Sequence, residues 1–449
     1  MKSCIQYLFL ILSACILNAA YFFPKYCFVG VFIFLIPIYF ISLCNSYPLN
    51  FSKGIFWGMC FWIVHLFWMV HLFGVAAYTL PLIVGFVVPI NYILTAGLWF
   101  WLAKVLIRLV KKNTPLWIGA SWIIATFGYF YWVRYCSFLP LGLFMGNPFG
   151  SPLLPLAQAP ILLATLPILG EHILSMLLFI SQWFIAETLY RKKISYLGLA
   201  ICCLFPFVVG SLQGPLNIEI PPYVDSLGFV KPPLVKDPIK LAQAIDNQIS
   251  HLIRNHPRVN TVLMPETSYP GAINESPYII QLLAREVFKS NLNLIIGAQR
   301  SDEKKKKYNT IYWIKNDKTI TYYDKNVRMP FTEYMPFPWN KIINFDIKDE
   351  VTDNEITRPL LKVNSNFTCI PSICSEIYFS SSSHPEVDKK IPLLVTVKEV
   401  WTPEYYLHYL MFLFAIFKAI QIQRDIIYVG YVHAYWISKT PTNIIPLKH

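Results

Sequence analysis

Apolar residues run almost unbroken through the first 213 positions and then give way to short apolar runs that alternate with amphipathic stretches. Seven runs before Gln213 approach the roughly 20 residues that a helix needs to cross a bilayer. They lie near 4–22, 26–44, 54–77, 80–103, 114–133, 160–188 and 194–212. From Leu227 the pattern predicts a strand to Val230, an amphipathic helix over 238–255 and a buried strand from Asn260 to Met264. It continues with a helix near 277–290 and a strand from Leu292 to Gly297. Tyr308–Ile314 and Thr319–Tyr323 then read as a hairpin around Asn316-Asp317. Later strands fall near 367–373 and 391–397, a helix near 405–423 and a last strand near 426–435. This alternation predicts a sheet covered by helices.

Composition and charge turn the apolar half into a membrane domain. Hydrophobic residues make up 55% of the 449-residue chain and charged residues only 14%, outside the range of ordinary soluble proteins. The connections alternate in charge. Lys2, Lys53, Lys104, Arg108, Lys111, Lys112, Arg191, Lys192 and Lys193 fall on one side of the expected bilayer, and Lys25 and Arg134 on the other. The basic side is expected to be cytoplasmic, so that with seven crossings everything after about 213 lies outside. Leu12-Ser13-Ala14-Cys15 resembles a lipoprotein cleavage site, but Ile16–Phe23 stays apolar and the first span is expected to be a retained helix. The basic excess is mainly flanking charge of this kind and excludes nucleic acid as a partner. Two domains are therefore expected, 1–213 in the membrane and 214–449 outside it. Only Glu171 and Glu187 are acidic within the spans, which argues against a transporter's charge relay.

Of ten cysteines, eight lie in or beside the spans, where a small buried role is the default. Cys369 and Cys374 lie in the outer domain, too far apart along one strand to bridge without a bend. The nine histidines show no ligand spacing, so neither a metal nor a cofactor is expected. Lys304–Lys307 reads as a solvated loop tip, with attraction to anionic headgroups as its functional alternative.

Chemistry gathers in three segments, each at the end of a strand-like run: Pro265-Glu266-Thr267, Tyr323-Asp324-Lys325 and Ile373-Cys374-Ser375-Glu376. A carboxylate base, a fixed cation and a thiol are the parts of acyl transfer through a thioester. Glu266 would take the thiol proton, Lys325 would face the developing oxyanion and Cys374 would be the nucleophile. A structural Glu266–Lys325 pair beside an inert cysteine is the competing reading. The separations of 59 and 49 residues are long enough to set the three on different strands of one sheet.

These segments, with Lys325 continuing into Met329-Pro330-Phe331-Thr332-Glu333-Tyr334-Met335-Pro336, resemble the motifs of bacterial apolipoprotein N-acyltransferase, as do Pro155-Leu156-Ala157 and Gly170-Glu171. The resemblance implies a polytopic α-helical membrane domain followed by an α/β nitrilase-like (αββα) periplasmic domain, in the bacterial inner membrane. It implies a two-step reaction: Cys374 takes an acyl chain from a membrane phospholipid, and the N-terminal amine of a diacylated apolipoprotein removes it. Glu333 would hold the lysine geometry and Glu376 would support the loop beside the thiol. Three features depart from the family pattern. Ser375 replaces an aromatic residue, and Lys398-Glu399-Val400-Trp401 stands where Asn-Asp-x-Trp is common. The sequence also reaches His449 without the closing strands and last helix, so a single tether near 213 is expected. A membrane-tethered amidase and a non-catalytic lipoprotein-binding paralogue are the alternatives.

Overall fold

The computed structural model describes residues 2–44, 49–67, 80–109, 114–135, 147–212, 219–233, 235, 237–327, 333, 359–379, 388–399, 405–440 and 443–449. The chain divides into two compact units, Met1–Gly214 with Thr402–Phe417, and Pro215–Trp401 with Lys418–His449. It therefore passes between the units at three points, in contrast to the single tether expected near 213.

The first unit is helical: α1 (Lys2–Phe22), α2 (Ile36–Cys44), α3 (Phe51–His65), α4 (Leu80–Leu109), α5 (Pro115–Tyr135), α6 (Leu166–Arg191) and α7 (Ser195–Leu212). Five segments among the described residues are long and apolar enough to cross a membrane: Cys4–Phe22, Pro24–Cys44, Pro89–Leu109, Pro115–Tyr135 and Leu166–Arg191. The expected span at 54–77 is helical as far as His65 and lies outside the described residues from 68 onward. That at 194–212 is helical, but its apolar part, Ser195–Gly210, is shorter than the other five. Both acidic residues of the spans are paired within the unit. Glu171 lies 3.5 Å from Arg134 and accepts from the Tyr135 hydroxyl at 2.7 Å, and Glu187 meets Arg191 at 2.5 Å. Paired in this way, each carboxylate avoids the cost of an isolated buried charge.

The second unit is built on two sheets. The first contains β1 (Leu227–Phe229), β2 (Thr261–Leu263), β3 (Asn293–Ser301), β4 (Lys307–Ile314) and β5 (Ile320–Asp324) in that order. β1, β2 and β3 are parallel, whereas β3, β4 and β5 form an antiparallel meander. The second sheet runs β11-β10-β9-β8-β7-β6 across β6 (Leu361–Lys362), β7 (Thr368–Ile373), β8 (Leu393–Thr396), β9 (Ile426–Val429), β10 (Ala434–Ile437) and β11 (Ile444–Pro446). Its central strands β7, β8 and β9 are parallel.

Alternation along the strands explains the layering. Val262, Met264, Leu294 and Ile296 pack on helix α8 (Pro238–Asn255) and the short helices Pro277–Leu283 and Arg285–Lys289. Leu263 and Ile295, which point to the opposite face, are also fully buried. A sheet covered on both faces needs continuous apolar strands, and the sequence supplies them. The start of α8 is set locally, with Asp237 accepting from the Lys240 amide at 2.8 Å and Pro238 in the first turn.

Two elements differ from the sequence reading. The helix expected over 277–290 breaks at Ala284, because the buried Asp246 carboxylate of α8 accepts from the Glu286 amide at 2.8 Å and caps a new helix there. The strand expected over 426–435 is a hairpin, β9 and β10, turning through Gly430–His433.

Candidate active site

Each of the three singled-out residues lies within three positions of the end of a strand of the second unit. The chain passes from β2 through Met264 and Pro265 to Glu266, and Thr267 then takes a left-handed conformation (φ 50°). Ser268 donates to the Pro265 carbonyl at 2.6 Å and closes this turn. Gly297 on the neighbouring β3 makes room for it, since a Cβ there would come within 2.6 Å of the Glu266 Cα. Lys325 follows β5, and its amide extends the ladder to the Asn309 carbonyl at 2.8 Å. Cys374 follows β7 at φ 46°, its amide bonded to the Thr396 carbonyl of β8 at 2.8 Å, and a short helix (Glu376–Phe379) begins two residues later. A non-glycine residue held at positive φ between a strand and a helix carries backbone strain, a feature that concentrates at functional sites.

These turns bring the three side chains together. Lys325 Nζ lies 3.7 Å from Glu266 Oε1 and 2.9 Å from both oxygens of Glu333. Lys325 and Glu266 are each only 1% exposed. The charges of Glu266, Lys325 and Glu333 all act on the Cys374 thiol. The expectation of three strands in one sheet is corrected, since Glu266 and Lys325 extend the first sheet while Cys374 extends the second. Sequence separation limits reach but does not assign a strand to a sheet. Facing strands of two sheets converge as well as neighbours in one, and β4 and β7 are in contact.

Both carboxylate oxygens of Glu333 accept from the Lys325 ammonium at 2.9 Å. Glu376 instead braces the turn: its carboxylate accepts from the Ile373 amide, the Tyr323 hydroxyl and the Asn326 amide, each at 2.7 Å. It thereby ties the Cys374 turn to the end of β5. Ser375, which replaces an aromatic residue in the family pattern, donates to the Val327 carbonyl at 2.8 Å and strengthens the same tie. The rest of the motif, Met329 to Thr332 and Tyr334 to Pro336, lies outside the described residues, as does Trp401.

Two groups on Glu266 were not foreseen. Asn309 Nδ2 donates to Glu266 Oε1 at 2.7 Å and to Glu333 Oε1 at 2.9 Å. The Lys398 amide donates to Glu266 Oε2 at 2.8 Å. The signal for Asn309 was an amide early in a strand whose later positions, Ile311 to Ile314, are apolar or aromatic. Lys398 acts through its backbone, so no side-chain pattern announces it.

Burial and charge set the resting protonation. Burial pushes the Cys374 thiol well above its usual pKa, the Glu266 charge pushes the same way, and Lys325 only partly opposes them. The thiol is therefore protonated in the resting site. Burial would lower the Lys325 pKa, but Glu333 and then Glu266 outweigh it and carry the pKa above its normal value, so the ammonium is permanent. Cys369, inside β7, is fully buried and its thiol is likewise raised by desolvation. The lysine run is exposed, with the Lys304 and Lys306 amides capped by Asp302 and Lys305 lying 3.3 Å from Glu275.

A carboxylate, an ammonium and a thiol thus lie buried side by side, the three groups that acyl transfer through a thioester would need. Two solved structures are similar to this chain. One is a carbon–nitrogen hydrolase from Helicobacter pylori G27 (14% identity, TM-score 0.35, 45% of this chain and 72% of that one). The other is a carbon–nitrogen hydrolase superfamily protein from Xanthomonas campestris with an arsenic adduct in its active site (14% identity, TM-score 0.35, 50% and 86%). In sequence, the chain is 30% identical over 161 residues to an apolipoprotein N-acyltransferase of Aquifex aeolicus (strain VF5). That match spans 35% of this chain and 30% of the length of the relative. No protein-family model matches the chain.

Proposed function

We propose that this chain is a multi-pass protein of a bacterial inner membrane, with residues 1–213 as its membrane domain and 214–449 as a periplasmic carbon–nitrogen hydrolase-like domain. In this reading it moves an acyl chain from a membrane phospholipid to the N-terminal amine of a diacylglyceryl-cysteine lipoprotein. The observation that carries the reading is the buried contact of Glu266, Lys325 and Cys374. The five long apolar helices and the similarity to an apolipoprotein N-acyltransferase support lipid as donor and a lipoprotein as acceptor.

In the first step Glu266 accepts the Cys374 proton while Sγ attacks the ester carbonyl. Lys325, steadied by Glu333, stabilises the oxyanion. The C–O bond breaks, and the proton on Glu266 passes to the departing lysophospholipid oxygen. In the second step the free amine attacks the thioester and the C–S bond breaks. The amine proton returns through Glu266 to sulfur, restoring the thiol.

Incubating the purified chain with labelled-acyl phospholipid should place hydroxylamine-sensitive label on Cys374, and a diacylated lipopeptide should then chase it into an amide. Label lost to water at the same rate with or without lipopeptide would favour the amidase. A folded wild-type protein that takes no label would favour the non-catalytic paralogue.

Topology gives an independent check. A reporter active only in the periplasm should function when fused after His449, and reporters at Lys111 and Lys192 should behave as cytoplasmic. A cytoplasmic signal from the C-terminal fusion would remove the access to lipoproteins that this reading requires.

A further inference from the structure

The Glu399 carboxylate is fully buried and takes no part in the reaction described above. It accepts four hydrogen bonds, all from the β9–β10 hairpin. Oε1 faces the Tyr428 hydroxyl and His433 Nδ1, each at 2.9 Å. Oε2 takes the Val432 amide at 2.6 Å and the His433 amide at 3.2 Å. Gly430 is shaped to this arrangement, since a Cβ there would land on the Glu399 carboxylate.

Four donors on one carboxylate fix the backbone that carries it, and that backbone touches both reacting groups. Three residues earlier, the Thr396 carbonyl holds the Cys374 amide at 2.8 Å. One residue earlier, the Lys398 amide holds Glu266 Oε2 at 2.8 Å. With Asn309 on Oε1, that amide determines the direction in which the Glu266 carboxylate faces.

We propose that Glu399 is a positioning residue for the base: by locking the end of β8 to the β9–β10 turn, it keeps the Lys398 amide on Glu266 and so keeps Glu266 aimed at the Cys374 thiol. The inference rests on the proposed nucleophile and base but not on the identity of the acyl donor. A neutral amide at position 399 offers one acceptor oxygen where four donors converge, so Glu399→Gln frees the strut without removing much volume. Misplacement of a reacting group by a fraction of an ångström to 1 Å costs one to two orders of magnitude in rate.

The test is a double-mutant cycle read by alkylation of Cys374 with iodoacetamide, which needs no lipid, with buried Cys369 as the internal reference. Glu399→Gln should slow alkylation on the order of 10-fold when Glu266 is present. In a Glu266→Gln background it should change the rate by less than about 2-fold, because the group it positions is already gone. A merely structural role would slow both backgrounds equally, and that result, or no slowing at all, would overturn the proposal. Gly430→Ala gives a second route if Glu399→Gln does not fold. It should slow alkylation by pressing on the carboxylate, and the shorter side chain of Glu399→Asp in the same protein should restore part of the loss. Absence of restoration would count against the proposal. A wild type that takes no phospholipid label while the cycle behaves as expected would sink the lipid reading alone.

Discussion

Replacing Lys325 with methionine should reduce acyl transfer by at least ~10²-fold, the loss seen when one oxyanion donor is removed. It should also destabilise the second unit. Lys325 lies 2.9 Å from Glu333 and 3.7 Å from Glu266, and all three are buried. Removing one partner of a buried ion pair leaves an uncompensated charge and costs roughly 3–5 kcal/mol. Adding Glu333→Gln to Lys325→Met removes one stranded charge and should recover part of the stability but none of the activity. Thermal unfolding in detergent micelles, run beside the acyl-transfer assay, separates the two effects. A Lys325→Met protein that transfers acyl chains within a few-fold of wild type would reduce the lysine to a structural ion-pair partner.

The split between what could and could not be read in the sequence follows the range of the forces involved. Strand ends were legible because Pro265-Glu266, Lys325 and Cys374-Ser375 each follow a run of mainly apolar or aromatic residues. The helix over 238–255 was legible because its cap, its proline and its period of apolar positions are all local. The assignment of β7 to a second sheet was not, since nothing near Cys374 records which strand it will pair with. Nor was the break at Ala284, which depends on Asp246, nearly forty residues earlier. The run from Ile426 to Tyr435 reads as one strand because its turn residues are themselves apolar or aromatic. What bends it is the buried Glu399 carboxylate, which claims the Val432 and His433 amides for itself. Lys398 and Glu399 looked like departures that would weaken the site. In the fold, the first lends the base an amide and the second anchors the strand that carries it.

Cys374→Ala should abolish thioester formation altogether, the largest effect expected of any substitution in this chain. Cys369, the other cysteine of residues 214–449, is a poor substitute: it is fully buried, with its pKa raised by desolvation, and lies within β7 rather than at its end. The variant should fold normally, because deleting one sulfur at a position still 8% exposed leaves only a small void. Glu266→Gln is the informative companion. The amide keeps the shape and can still accept from Asn309 or Lys398, but it cannot take a proton. Since burial and the Glu266 charge keep the resting thiol protonated, attack requires that proton to leave at the same moment, and Glu266 is the carboxylate that acts on it most strongly. Glu266→Gln should therefore slow labelling by about 10²- to 10⁴-fold, even though removing the negative charge lowers the thiol pKa. The two effects oppose one another, which makes the experiment decisive. Faster labelling in Glu266→Gln would mean that Glu266 only suppresses the thiolate. Label persisting on Cys374→Ala would assign the nucleophile to another residue.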